Sequence, residues 1–302
     1  MKEPSYLRLY QTGELFDRIQ LLKEKLRCCD LCPRQCQVNR LAGETGYCGA
    51  GALAKISSAF AHFGEEPPLV CQHGSGTIFL SHCNLLCCFC QNYEISHFEE
   101  GKEVSTTELA KLMIALQQQG CLNINFVTPT HFAPQIIAAL PAAIDDGLRV
   151  PLVWNCGGYE SIEIIGLLNG IVDIYMPDAK FSDVSYAKLY AKAENYFVNL
   201  KGVLKEMHAQ VGVLKINEYG AASKGLLIRH LVLPNNVSGS EEILKFIAKE
   251  LSLDSYVNIM DQYRPFYIAK DDQLIGRSIT QSEYQAVIAL AKKIGLKRGF
   301  LN

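Results

Sequence analysis

From Thr77 onward the chain alternates short apolar runs with helical stretches, and this alternation restricts the possible folds more than any other feature. The strand-like runs are 77–80, 123–127, 152–155, 172–176, 227–233 and 256–260. Between them lie segments with helical patterning near 106–119, 132–147, 160–169, 182–193, 195–210 and 239–251, several with a start signal such as Ser105-Thr106-Thr107-Glu108. Strict alternation predicts parallel strands joined by right-handed crossovers. Six such units do not close an eight-stranded barrel. The sequence therefore predicts an α/β fold, an open partial (β/α)6 barrel, with function at the carboxyl ends of the strands as in complete barrels. Pro141 lacks a backbone N–H and is expected to kink or split the second helix.

Residues 1–70 read differently, as a polar, cysteine-bearing extension ahead of a core spanning 71–302. One helix is expected there, over 12–27, where Leu15, Ile19, Leu22 and Leu26 recur at helical spacing. A packing helix is expected at the other end, over 281–297.

The run at 77–80 leads into a loop carrying Cys83, Cys87 and Cys90, a C-x3-C-x2-C spacing. A cubane iron–sulfur cluster is held by cysteine thiolates. Three cysteines on one loop can take three of its corners and leave the fourth iron without a protein ligand, open to a substrate. The same thiols also suit a closed zinc knuckle or plain packing. Cys88, a fourth nearby thiol, reads as a packing residue.

A second constellation runs Cys29-x2-Cys32-x3-Cys36-x11-Cys48. Four thiolates can close a metal site completely, as structural zinc or as a second iron–sulfur cluster, and the spacing does not choose between them. Pro33, Arg34, Arg40 and the nearby glycines suit a tight loop whose N–H groups reach the sulfurs. A cysteine-rich loop without metal is the plainer alternative, and Cys28 is a substitute ligand for Cys29.

Twelve cysteines would suggest disulfides in a small secreted chain, but this chain has 302 residues and begins Met-Lys-Glu-Pro-Ser without an apolar leader. A reducing cytoplasm is the expected location. Twenty-nine basic against thirty-one acidic residues give a net charge of −2, which offers no electrostatic claim on nucleic acid or an anionic membrane. The uncharged stretch 112–144 is interrupted by three glutamines, His131 and three prolines, so no transmembrane helix is expected.

The segment Gly74-Ser-Gly-Thr-Ile-Phe-Leu-Ser-His-Cys83-Asn-Leu-Leu-Cys87-Cys-Phe-Cys90-Gln-Asn, with Val127-Thr-Pro-Thr-His131, the amino-terminal Cys-Pro-Arg and the stretch 173–180, resembles the radical S-adenosylmethionine (SAM) superfamily. Within it, the resemblance is to uncharacterised homologues of the pyruvate formate-lyase activating enzyme. It spans nearly the whole chain. The resemblance implies that the open iron of a 4Fe-4S cluster chelates SAM, and that one electron from the cluster breaks the sulfonium bond to give a 5′-deoxyadenosyl radical that abstracts hydrogen.

The resemblance also implies cofactor contacts. Phe89 falls where that superfamily packs an aromatic near the adenine, with Asn92 among the polar lining that follows. Asp178 and Lys180, in Tyr175-Met-Pro-Asp-Ala-Lys180, match an Asp-x-Lys pair that contacts SAM, and a carboxylate and an ammonium suit its ribose or ammonium and its carboxylate. Tyr263, with Gln262, occupies the place of another SAM contact. Asn155 opens a turn, Asn155-Cys-Gly-Gly-Tyr-Glu160, like one in the activating enzymes, whose glycines would admit a ligand. Cys156 there reads as a small hydrophobe more than as a hydrogen-atom donor. Arg229 sits mid-strand, where a charge faces a polar interior or goes unpaired, and is expected to meet SAM or a carboxylate, with His230 on the opposite face.

The sequence departs from the activating enzymes at Thr128-Pro129-Thr130-His131, where they carry Gly-Gly-Glu. Thr128 could accept hydrogen bonds from an ammonium in place of the lost carboxylate, and His131 is either a proton donor or substrate contact, or else a cap or a packed side chain. No catalytic acid or base is assigned. Three readings follow: an activase-like radical SAM oxidoreductase with a protein substrate and a flavodoxin- or ferredoxin-like electron donor; the same chemistry on a small molecule or another peptide; and a non-enzymatic iron–sulfur or zinc protein.

Overall fold

A computed structural model of the chain describes residues 3–300. One mixed nine-stranded sheet organises the molecule. The strands are β1 (Ala54–His62), β2 (Ser75–Leu80), β3 (Lys102–Val104), β4 (Ile124–Val127), β5 (Leu152–Cys156), β6 (Ile174–Pro177), β7 (Lys215–Ile216), β8 (Ala222–Leu231) and β9 (Tyr256–Met260). The helices are α1 (Tyr6–Thr12), α2 (Glu14–Glu24), α3 (Pro67–Val70), α4 (Tyr93–His97), α5 (Thr106–Gln118), α6 (Ala133–Asp145), α7 (Ile162–Leu167), α8 (Val184–Ala191), α9 (Tyr196–Val211), α10 (Ser240–Phe246) and α11 (Gln281–Ile294).

β2, β4, β5, β6, β8 and β9 pair in that order and all in parallel. Their composition explains this. β4, β5 and β6 are buried along their whole length, as strands covered on both faces must be. Helices α5, α6, α7 and α9 supply the cover through Met113, Ile137, Ile165 and Leu204, all essentially inaccessible to solvent. Ser105 starts α5 with the reciprocal capping bonds to Glu108 that its sequence predicts.

Three strands and two helix features differ from expectation. β1, within the 1–70 segment, pairs antiparallel with β2 and with β3, and β7 pairs antiparallel with β8. The amino-terminal segment is therefore tied into the sheet of the core. Its helices are tied as well: Tyr6 donates to the Val150 carbonyl at 2.9 Å and the Ser5 amide to Asp173 at 2.9 Å. The helix expected over 12–27 is α2, but a further helix, α1, precedes it, and Gly13 at a left-handed φ of 86° turns the chain between the two.

Pro141 neither splits nor ends α6, which runs through it. The missing hydrogen bond is tolerated because Ile136, Ile137, Leu140 and Ile144 pack that helix into the core from both sides of the proline. No helix among the described residues is long and apolar enough to cross a membrane.

Candidate functional site

The loop after β2 is held in an unusual course. His82 and Leu86 both adopt left-handed backbone, at φ 70° and 53°, a conformation that costs energy outside glycine. Surrounding bonds enforce it: the His82 amide donates to the Ile95 carbonyl at 2.9 Å, the Cys88 amide to Tyr190 at 3.0 Å, and the Asn84 side chain to the Tyr159 carbonyl at 2.6 Å. Gly157 lets the loop sit close to β5, since a Cβ there would lie 2.7 Å from Leu85. Gly157 thus admits a neighbouring loop and at the same time lines the cavity that this loop opens on.

The consequence is that Cys83, Cys87 and Cys90 all open on one large cavity at the carboxyl ends of the parallel strands. It holds about 1400 Å³, its open mouth included. Cys88 does not line it. That thiol turns toward Tyr190, Tyr263 and Asp272 instead. Burial pushes the thiol of Cys83 up to about 11 and that of Cys87 higher, while the Lys180 ammonium pulls both down. Unmetallated, they stay protonated; a metal would displace the protons.

The opposite wall carries a charged network. Arg229 on β8 donates through Nε to Asp178 at 2.8 Å and through Nη2 to Asn155 at 2.7 Å. Lys180 holds the other oxygen of Asp178. Burial alone would raise the Asp178 carboxyl, yet the Arg229 and Lys180 cations outweigh it and hold the group below its ordinary value. Phe89, Asn92, Thr128 and Tyr263 line the same cavity. Thr128 is left-handed at φ 59°, and Tyr263 packs edge-on to Phe89 with ring centroids 5.8 Å apart. Its hydroxyl is occupied by the Ile275 carbonyl, so Tyr263 offers the cavity an aromatic surface.

Sequence reasoning missed Glu65 and Glu66, which reach the network from the turn between β1 and α3. Glu65 lies 3.8 Å and Glu66 4.0 Å from the Arg229 guanidinium. Burial raises the Glu65 carboxyl to about 7. The only hint in the sequence is the run Gly64-Glu-Glu-Pro67, which charge counting does not distinguish from a solvated turn. His230 points away from the cavity, bonding the Ala179 carbonyl and the Ser240 hydroxyl. Cys156 is buried at the cavity wall. His131 lies elsewhere, beside the amino-terminal cysteines.

Cys29, Cys32, Cys36 and Cys48 surround a second, enclosed cavity. Among the described residues no three Cys, His, Asp or Glu side chains close on a point that one metal ion could occupy. A cubane asks for something wider, one thiolate per iron, and the three thiols on the large cavity meet that requirement of a shared wall.

The chain is 33% identical over 298 residues to the uncharacterised protein MJ0674 of Methanocaldococcus jannaschii, a match covering 95% of this chain and 81% of that one. The chain belongs to the family of that protein. No protein-family model matches it. Among solved structures, a radical SAM methyltransferase from Sphaerobacter thermophilus superposes with a TM-score of 0.49 at 12% identity, covering 75% of this chain and 66% of that one. This chain thus spans a little under two thirds of the methyltransferase.

Proposed function

We propose that this protein is a radical SAM enzyme built on an open partial barrel. The observation that carries the reading is the convergence of the Cys83, Cys87 and Cys90 thiols and the Asn155, Asp178, Lys180 and Arg229 network on one cavity. Those three cysteines would hold a 4Fe-4S cluster with one iron left to a substrate. When bound, the cluster supplies one electron to the sulfonium of a coordinated SAM.

The chain's own residues do the rest by binding and positioning. Asp178 pins Lys180 and Arg229 in place, so two cations face the cavity at fixed positions for an anionic group such as a carboxylate. Glu65, across from Arg229, restores the carboxylate that the Thr128-Pro129-Thr130-His131 segment lacks and suits an ammonium group. Phe89 and Tyr263, set edge-on to each other, give an aromatic wall for a purine. The hydrogen donor would be either a glycine of a partner protein, as in an activase, or a small molecule or other peptide. The loss of Gly-Gly-Glu at the end of β4 favours the second. A flavodoxin- or ferredoxin-like donor would supply the electron in a reducing cytoplasm.

Anaerobically reconstituted protein with dithionite and SAM should release 5′-deoxyadenosine. Replacing Cys87 by alanine should abolish the product. Turnover at the wild-type rate in that variant would refute the assignment.

A further inference from the structure

The second cavity is assembled with as much care as the first. Gln35 and Gln37 take left-handed backbone at φ 43° and 59° on either side of Cys36, folding the loop tightly enough to turn Cys32 and Cys36 to one side. The Cys29 amide donates to Val38 at 3.0 Å, and the Gln37 amide donates back to Cys29 at 2.9 Å, which clamps the loop's start to its end. The Tyr47 amide donates to the sulfur of Cys36 at 3.3 Å. Gly46 makes room for it, because a Cβ there would lie 2.8 Å from that sulfur.

The charges around this cavity lack a counterpart. Arg40 is 1% exposed, and its guanidinium donates only to the Gly51 and His131 carbonyls. Arg34, over the Tyr47 ring at 3.9 Å, donates only to the carbonyls of Asn84, Ala191 and Lys192. Among the described residues, neither arginine has a carboxylate within ion-pair distance. A buried unpaired guanidinium is costly, and Arg40 is such a group, while Arg34 is half-buried. Both line the cavity, so an anionic occupant would pair with them. His131 adds an independent sign. It is 2% exposed and lines the cavity, its Nε2 is engaged by the Ser81 carbonyl at 2.7 Å, and its Nδ1 has no partner.

Thiolates on zinc sit about 2.3 Å from the metal and so within about 4 Å of one another, and no three candidate ligands among the described residues are gathered that way. Four thiols around one enclosed cavity, with a backbone N–H on the sulfur of Cys36 and two arginines beside them, suit the anionic shell of an iron–sulfur centre. We propose that Cys29, Cys32, Cys36 and Cys48 hold a second iron–sulfur cluster, closed by four protein ligands. It adjoins the first loop, since Arg34 is bonded to the Asn84 carbonyl and Tyr47 to the Leu85 carbonyl.

Metal and sulfide analysis after anaerobic reconstitution tests this without any turnover assay. Wild type should hold about two to four irons, with matching sulfide, beyond the roughly four that Cys83, Cys87 and Cys90 can take. The triple variant C83A/C87A/C90A should keep that extra share with its visible charge-transfer absorbance, and the quadruple variant C29S/C32S/C36S/C48S should lose it. If neither variant folds, the wild-type count decides. Wild type with about four irons, or with zinc accompanying them, overturns the proposal. An iron-free quadruple variant beside an iron-bearing triple variant would instead remove the first cluster and leave the second.

Discussion

Asp178 holds two cations at once, and that makes it the residue on which the large cavity's charge depends. Asp178→Asn leaves Lys180 and Arg229 partly uncompensated, with side chains only 16% and 18% exposed. A loss of roughly 3 kcal/mol is expected, read by denaturant unfolding of the metal-free protein; an unchanged midpoint would mean that Glu65 and Glu66 carry Arg229 instead. Glu65 gives a pH signature. Burial lifts it from 4.5 to about 7, so the folded chain keeps a proton that the unfolded chain releases, and stability present below about 4.5 is lost as pH rises through 7. Between pH 5 and pH 8 its share should be roughly 2 kcal/mol. Glu65→Gln should flatten that slope, and a variant with the wild-type slope would contradict the assignment. The cysteines were legible because their spacing marks them, and Asp178 and Lys180 because they match the Asp-x-Lys pair that the resemblance implies. Glu65 was not, since only the fold turns an ordinary acidic turn toward Arg229.

The parallel strands and their helices were readable because buried strands and amphipathic helices write different periods into a sequence. β1, β3 and β7 escaped for the converse reason. β1 is Ala-Lys-Ile-Ser-Ser-Ala-Phe-Ala-His, only partly buried, and β3 and β7 have three and two residues. Pairing to a neighbour makes them strands, and propensity does not. Pro141 shows the same override in a helix. Because α6 is continuous there, Pro141→Ala should restore the bond to the Ile137 carbonyl and stabilise the protein by about 1–3 kcal/mol, seen as a higher Tm; a lower Tm would show that the ring fills space the helix needs. Gly158 is the opposite case. At φ 76°, with a would-be Cβ 2.3 Å from the Asp178 carbonyl, Gly158→Ala should cost about 1–3 kcal/mol and disturb Asp178. A silent substitution would remove that turn from the site's support.

At the scale of the molecule, the residues singled out by sequence divide between two cavities. Cys83, Cys87 and Cys90 share the large one with the strand-end polar groups, and the four amino-terminal cysteines enclose the other. What no one-dimensional reading supplied is their adjacency, since Arg34, Tyr47 and Asn84 meet only through the packing of β1 and β2 into one sheet. It also left the role of His131 open, because helical position says nothing of which loop a side chain faces. The most direct test is the electron paramagnetic resonance spectrum of dithionite-reduced, reconstituted protein recorded with and without SAM. The account predicts that SAM changes the spectrum of the wild type and leaves that of Cys87→Ala as it was. Identical wild-type spectra, or a change that persists in the variant, would contradict it.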